Sequence, residues 1–429
     1  MKITQFIFQE TYCHRKALYS RPKSLSMCAM QKGKKASLII VFMIVFMDLV
    51  GFGMILPLST YLAKDFNASP TEIGLLMTLF SLMQFIFSPF WGKLSDRIGR
   101  RPVLLMSLLC SGLSYIGYAY ASELWMLFLW RGLAGLFSAN ISTAMAYIAD
   151  ITEEKDRSKS MGLIGAAFGL GFMMGPFIGG LLGSKGSLIS SEPPFGQNFA
   201  ALIAGCICIL NFLFALKILK ESKKDSKVRE RKSRLLLLKQ HFLRPDIGKL
   251  LLLTFLSVFS MAHMESTIFL YAIEKYDWSF EILNYGFAYI GFVIVFTQGF
   301  LIRKLLPKFG EKILLRMGIL SASLGLFYIP FVEGLWGMAV SQTFFALGTG
   351  LINPSLTGSI SILTSAEEQG EVMGVNQSMS ALGRILGPAL GGFIYGHFAQ
   401  EAPYFLASLL MFLCIALIPK GLKNSALNN

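Results

Sequence analysis

The sequence predicts an all-α membrane protein in which twelve transmembrane helices form two pseudo-symmetric six-helix bundles. Three observations predict this fold: long apolar segments, an internal repeat and a one-sided distribution of Lys and Arg. Hydrophobic residues make up 54% of the 429 and charged residues only 15%, which is more apolar surface than one soluble core buries. Lipid is therefore the expected solvent for most of the chain, and the lipid bilayer an expected partner.

Each predicted span holds roughly 20 mainly apolar residues, the length of helix that crosses a bilayer. The twelve spans cover residues 37–62, 73–91, 102–121, 124–147, 158–184, 198–219, 248–273, 282–302, 313–332, 335–362, 371–399 and 402–419. Ser, Thr and Asn make the ends of the fourth and tenth spans the least apolar.

The spans divide the chain into five parts. The divisions are a cytoplasmic N-terminal tail (1–36), an N-terminal six-helix bundle (37–220), a basic cytoplasmic linker (221–247), a C-terminal six-helix bundle (248–420) and a cytoplasmic tail (421–429). Within the linker, Arg234–Phe242 has the pattern of an amphipathic helix. Because the N-terminal tail lacks any pattern, we hypothesise that translation begins at Met27 or Met30.

A ten-residue pattern, GxxxGPxxGG, occurs once in each half of the chain. An internal repeat inside apolar segments is typical of transporters built from two related halves. Its glycines allow close helix packing, and its proline removes a backbone donor and permits a bend. The residues expected to pack and bend are Gly171, Gly175, Pro176, Gly179, Gly180, Gly383, Gly387, Pro388, Gly391 and Gly392.

Lys and Arg lie mostly on one side of the predicted spans. That side holds the tails, the linker and three basic loops, and the other side holds only Lys64, Lys185 and Lys275. Because cytoplasmic loops carry the excess of Lys and Arg, both termini are expected in the cytoplasm of a multi-pass plasma (inner) membrane protein. The net charge of +14 is then explained by topology and anionic headgroups, and no nucleic-acid partner is expected.

Several chemical classes have no support in the sequence. Four of the six cysteines fall inside spans and two in the N-terminal tail, so no extracytoplasmic disulfide framework is expected. The HExxH, P-loop and GxGxxG patterns are absent from the sequence. No catalytic residue, metal site or cofactor is expected, and a proton gradient is the expected energy source.

The loop between the second and third spans carries the pattern GxLxDRxGRR, from Gly92 to Arg101. It resembles the cytoplasmic signature of the major facilitator superfamily. A degenerate copy after the eighth span has Pro307 where the first has Asp96. The resemblance covers residues 37–420 and implies twelve helices in two pseudo-symmetric halves around a central cavity. A merely basic loop would not require Gly and Asp at these spacings.

Further residues resemble one branch of that superfamily, the twelve-span drug:proton antiporters that include the tetracycline-efflux type. They are Arg131–Gly135 in the fourth span, Tyr147–Thr152 with Arg157 after it, and the repeat in the fifth span. The resemblance implies export by antiport. Because the same repeat recurs in the eleventh span, it also records duplication and is a weaker marker of transport direction.

A cytoplasmic gate is the expected role of the loop signature. Asp96 is expected to meet the N-terminal end of a helix in the other half and to pair with Arg97, Arg100 or Arg157. Such a latch must break for the cytoplasmic side to open. The gate residues are Gly92, Asp96, Arg97, Gly99, Arg100, Arg101, Asp150 and Arg157.

Ionisable residues well inside spans mark the expected coupling site, since each is costly in lipid. The candidates for proton coupling are Asp48, Arg131, Glu265 and Arg384. Asp48 begins a segment, Asp48–Pro57, that resembles the first-span pattern of the drug:proton branch, where the acidic residue takes part in coupling. Static pairing, of Arg131 with Asp48 and of Arg384 with Glu265, is the alternative. His263 is expected to be a packing residue.

Polar residues at helical spacing suggest cavity faces, although they equally fit ordinary interhelical hydrogen bonds. The candidates are Gln84, Gln342, Phe345, Thr349, Asn353 and Asn376. An aromatic stripe along the eighth span, Tyr285–Phe296, fits either a planar substrate or lipid.

The expected function is a proton-coupled antiporter that exports small hydrophobic or cationic compounds by alternating access, as a monomer. Small-molecule substrate and protons are its expected partners. An uptake symporter or facilitator with the same fold is the first alternative, and a transport-inactive membrane receptor or scaffold is the second. The sequence does not identify the substrate.

Overall fold

The computed structural model describes residues 22–138, 140–152, 154–222, 234–365 and 368–419. In these ranges the chain forms helices and short 3-10 or π-helical turns, and no β-strand. The helices are α1 (Pro22–Asp65), α2 (Pro70–Ile98), α3 (Arg100–Ala119), α4 (Leu124–Phe137), α5 (Asn140–Ile151), α6 (Glu154–Ser187), α7 (Phe199–Ile218), α8 (Arg234–Phe242), α9 (Pro245–Tyr276), α10 (Phe280–Phe296), α11 (Ile302–Tyr328), α12 (Gly334–Ile362), α13 (Gln369–His397) and α14 (Ala402–Leu413).

These helices supply twelve spans in two halves, α1–α7 and α9–α14. Seven described segments are long and apolar enough to cross a membrane, and one of them, Phe280–Phe331, is long enough for two spans. The shorter apolar helices Leu124–Phe137 and Ala402–Leu417 contribute two more. The glycine-rich helices α6 and α13, which carry the repeat, complete the set. The chain is therefore a membrane protein.

Three differences from the predicted spans change how the helices begin, divide or join. Helix α1 begins at Pro22, so helical structure extends into the predicted tail. The predicted fourth span is divided into α4 and α5, because the small and polar residues that follow Phe137 favour local turns over a continuous helix. A π-helical turn, Thr297–Leu301, joins α10 to α11 without a loop.

The linker contains α8, and its bounds match the amphipathic helix predicted there. Arg244, directly before α9, pairs with Glu368 through two bonds of 2.6 and 2.7 Å. These bonds raise the pKa of the Arg244 guanidinium. The predicted tail segments 1–21 and 420–429 and the linker segment 223–233 lie outside the described residues.

Two helix pairs form the seams between the halves, α2 with α13 and α6 with α10. We call the end of the bundle that holds Gly99 and Gly310 the motif end, and the end that holds Lys64 and Asp277 the far end. The Thr78 hydroxyl on α2 donates a 2.8 Å bond to the Ile385 carbonyl on α13. Both seams continue from this middle level to the far end, so the far end is closed in this conformation.

Candidate functional site

The loop signature forms an ion-pair cluster at the motif end of the N-terminal half. Arg100 lies 2.5 Å from Asp96 and 3.2 Å from Asp150. Gly99 adopts φ +106° between α2 and α3, a conformation that side-chain-bearing residues rarely adopt. The structure thus brings three predicted gate residues together, Asp96, Arg100 and Asp150. The side chain of Arg157 lies outside the described part of the chain.

Glu221 completes this cluster, and sequence reasoning missed it. Its carboxylate accepts the backbone N–H groups of Arg100 at 2.9 Å and Arg101 at 3.1 Å. These are unpaired donors at the start of α3, where the helix dipole favours a negative charge. A Cβ atom on Gly99 would lie 2.3 Å from this carboxylate. The only sequence signal was an acidic residue at the start of a basic linker.

The second, degenerate copy of the signature keeps the backbone shape and lacks the Asp96–Arg100 ion pair. Gly310 takes φ +71° inside α11, as Gly99 does in the first copy. Glu311 follows it where Arg100 follows Gly99, so the sign of the charge is reversed. Together with Pro307 in place of Asp96, this reversal makes the motif end asymmetric.

The first copy of the repeat packs α6 against α1. A Cβ atom on Gly171 would lie 2.6 Å from Leu49, and one on Gly175 would lie 2.6 Å from the Val50 carbonyl. The last glycine, Gly180, faces the other half instead, where its Cβ atom would lie 2.7 Å from Asn284 on α10. Close approach therefore requires glycine at these positions.

The second copy repeats this arrangement between α13 and α9. Cβ atoms on Gly383, Gly387 and Gly391 would all meet α9 within 2.9 Å. The last glycine, Gly392, again faces the other half, and its Cβ atom would lie 2.2 Å from the Pro70 carbonyl on α2. Each copy thus packs a helix inside its own half with three glycines and seals one seam with the fourth.

In the N-terminal half, the intramembrane charges lie around Tyr115 of α3. Asp48 on α1 is 8% exposed and lies within electrostatic range of Tyr115 and of Cys208 on α7. Arg131 on α4 interacts with the same Tyr115. Both candidate residues are therefore inside the N-terminal bundle, within electrostatic range of the same tyrosine.

Arg131 is the largest fully buried side chain of this half, at 1% exposure. Its guanidinium lies 4.7 Å from the ring centre of Phe80 and 5.3 Å from that of Phe52, which are cation–π distances. Its Nε and Nη1 atoms have no hydrogen-bond partner among the described residues. A buried guanidinium with free donors is costly, which is typical of functional charge.

In the C-terminal half, Glu265 on α9 and Arg384 on α13 interact electrostatically. Glu265 is half-buried, and Arg384 keeps an exposed side chain halfway along its helix. At about 100° per residue, Arg384 lies on the opposite side of α13 from the exposed Phe393. Because that apolar side suits lipid, Arg384 faces the interior of the protein.

His263 is fully buried, as expected of a packing residue, and does not join Glu265. Its Nδ1 atom lies 3.1 Å from the carbonyl oxygen of Gly387, so the neutral ring donates from this nitrogen. The ring also stacks on Phe259, with 5.3 Å between centroids. It therefore fixes α9 to the Gly387–Pro388 segment of α13.

The predicted cavity residues divide into packed and exposed ones. Gln342, Phe345 and Thr349 are at most 5% exposed, so they pack between helices in this conformation. Asn376 accepts a 2.6 Å bond from Thr254 of α9. This is an ordinary interhelical hydrogen bond, which the sequence left open as the alternative to a cavity role. Asn353 alone of the six predicted residues is exposed.

Gln84, the remaining predicted cavity residue, lies at the break between α4 and α5. Its amide donates a 2.8 Å bond to the Ser138 hydroxyl. Just before this break, the Trp91 indole donates a 2.6 Å bond to the Leu136 carbonyl, and Ser107 donates to the Phe137 carbonyl. Side chains of α2 and α3 thus satisfy the carbonyl groups that α4 leaves unpaired inside the membrane.

The aromatic stripe of α10 lies at the surface of the α6–α10 seam. Phe292 and Phe296 are 55% and 46% exposed. A shallow cavity of about 360 Å³ adjoins them, lined by Met173, Met174, Phe177, Tyr285, Ala288, Tyr289 and Phe292. Such an exposed apolar surface suits lipid contact.

Comparison with known proteins decides the family. The model of the Major Facilitator Superfamily matches residues 40–334 and 299–426. The chain belongs to the major facilitator superfamily. It is a membrane transporter of small molecules and not an enzyme.

Other members of the superfamily resemble most of this chain. The tetracycline resistance proteins of class B and class E from Escherichia coli are 32% and 34% identical to it, over 83% and 84% of this chain and 88% of theirs. Multidrug resistance protein 2 of Bacillus subtilis (strain 168) is 28% identical over 92% of this chain and 97% of its own.

Solved structures of superfamily members share the fold. The human organic anion transporter MFSD10 (TETRAN) aligns with a TM-score of 0.67 and 23% identity, over 90% of this chain and 99% of its own. The nucleoside transporter NupG aligns with a TM-score of 0.70 and 14% identity, over 89% and 98%.

Proposed function

We propose that this transporter is a proton-coupled antiporter that exports small hydrophobic or cationic compounds. The observation that carries the proposal is an intramembrane carboxylate in each half, Asp48 on α1 and Glu265 on α9, each close to a cationic or polar partner inside the bundle. The names of the relatives, tetracycline resistance and multidrug resistance proteins, support the drug-export direction.

The two carboxylates have different parts in this proposal. Glu265 is half-buried beside the interior-facing Arg384, so part of its side chain is accessible to water. Asp48 is buried beside Tyr115 and Cys208, so it exchanges protons only when the helices of its half rearrange. Alternating hydration lets a carboxylate take up a proton from one side and release it to the other.

The orientation follows from charge. The motif end carries the basic loops, so we place it in the cytoplasm of the plasma (inner) membrane, with both termini there. The closed far end then faces outward. In this orientation an exporter loads its substrate from the motif end. In this proposal the proton gradient supplies the energy for export, and a single copy of the chain carries out transport.

The test is transport into inverted membrane vesicles with an imposed proton gradient, acid inside, using tetracycline and a lipophilic cation. Export by antiport predicts uptake into these vesicles that collapses with the gradient. Asp48→Asn and Glu265→Gln should each lower gradient-driven uptake at least tenfold, while the loop variant Glu192→Gln should leave it unchanged.

Three results would contradict the proposal. Gradient-driven movement out of the vesicles would indicate an uptake symporter. Uptake that is insensitive to the gradient would indicate a facilitator. Full activity in both carboxylate variants would show that neither Asp48 nor Glu265 carries the coupled proton.

A further inference from the structure

An ion pair joins the two halves at the far end of the bundle. The Lys64 ammonium, one residue before the end of α1, lies 3.4 Å from Oε1 of Glu274 in the last turn of α9. The first residue belongs to the N-terminal half and the second to the C-terminal half. One turn back on α1, Tyr61 packs edge-on against Phe280 of α10, with 5.2 Å between ring centroids.

The C-terminal half holds the Glu274 carboxylate in place for this contact. Its second oxygen accepts a 2.7 Å bond from the Tyr395 hydroxyl and a 3.1 Å bond from the Gln400 amide. Both donors come from α13 or the loop after it. The C-terminal half thus fixes the position of the Glu274 carboxylate before Lys64 pairs with it, which reduces the entropy lost on pairing.

The surroundings place this pair in the closed end of the molecule. Gly392 of α13 seals against Pro70 of α2 on one seam. On the other seam, Gly183 of α6 meets Phe280 of α10. The end of α1 cannot move away from the end of α9 without breaking the Lys64–Glu274 contact.

We propose that Lys64 and Glu274 form a releasable latch that favours closure of the far end and breaks each time that end opens. The inference rests on alternating access in the proposed function, and on neither its substrate nor its proton. Both side chains are about one-third exposed, at 33% and 29%. Water therefore screens the attraction between the two charges. The pair should raise the ratio of closed to open forms by about 1.4- to 5-fold.

The test measures opening of the far end in the full-length protein. Double electron–electron resonance gives the distance between two spin labels, one in each half. Spin labels go on cysteines at Ser122 and Glu333, exposed loop positions at the far end of either half, after the native cysteines are replaced. Lys64→Met should lower the closed-to-open ratio by about 1.4- to 5-fold. Exchanging the charges, Lys64→Glu with Glu274→Lys, should restore most of the ratio.

Lys275 supplies a matched control. It neighbours Glu274, but its ammonium bonds to the Tyr271 hydroxyl at 2.7 Å and the Pro330 carbonyl at 3.0 Å, both in its own half. Lys275→Met should leave the ratio unchanged.

An unchanged closed-to-open ratio in Lys64→Met would overturn the latch. It would also be overturned if the charge-exchanged protein were no more closed than the single variants, or if Lys275→Met shifted the ratio as much as Lys64→Met. Drug transport measured on the same samples tests the proposed function separately.

Discussion

Gly392 lies where α13 crosses α2, and one added methyl group should change which end of the transporter is open. In Gly392→Ala the new Cβ atom would lie 2.2 Å from the Pro70 carbonyl oxygen and 3.1 Å from Cα of Gly74. An ordinary contact begins near 3.4 Å, so the helices must separate by about 1 Å at this point. Both clashing groups are backbone atoms that cannot turn aside.

The cost applies to the form in which the far end is closed. Overpacking of this kind costs about 1–3 kcal/mol, and in the open form α2 and α13 separate and the clash disappears. The closed-to-open ratio should therefore fall by about 5- to 150-fold. The Ser122 and Glu333 label distances report this ratio, and drug transport should fall with it.

Gly286 on α10 is the control, because a Cβ atom there would meet nothing within 4 Å. Gly286→Ala should leave both distances and transport unchanged. If Gly392→Ala keeps the closed distance and full transport, the seam does not depend on glycine and the reasoning is wrong.

Three further predictions concern the motif end and the break in the fourth span. Asp96→Asn should reduce transport turnover more than substrate binding, because the charge acts in the gate; equal losses in steady-state transport and in equilibrium binding would contradict this. Trp91→Phe removes the donor to the partly buried Leu136 carbonyl and should lower the free energy of unfolding by about 1–3 kcal/mol; an unchanged thermal midpoint in detergent would show that another group replaces it. Glu221→Gln removes the negative charge at the start of α3 and should cost about 0.3–1 kcal/mol, visible as a lower thermal midpoint, whereas Glu192→Gln should have no effect.

The repeat shows what sequence can predict about this fold. Glycines at every fourth position next to a proline predict close helix packing, and Gly175 and Gly387 meet α1 and α9 as such a pattern implies. The pattern does not say which helix each glycine meets. That Gly180 and Gly392 cross to the other half depends on how the halves are assembled, which no local spacing records.

The charged residues of the site could be predicted from the sequence, but not all of the groups that they contact. Asp96 and Arg100 share a motif, and their pairing follows from their closeness along the chain on either side of the Gly99 turn. Glu221 is distant from both along the chain, and only the fold brings it to the start of α3. The break after Phe137 shows as polar residues in the sequence, but the donors that stabilise it, such as Trp91, come from other helices.

In the proposed function, substrate and protons move in opposite directions across the membrane. Purified protein in liposomes with a trapped pH dye, loaded with substrate and diluted into substrate-free buffer with no pH gradient, measures this directly. Substrate leaving the liposomes should drive protons in, so the interior should become acidic, and Glu265→Gln should abolish the signal. An interior that becomes alkaline, or substrate exit with no pH change, would contradict it.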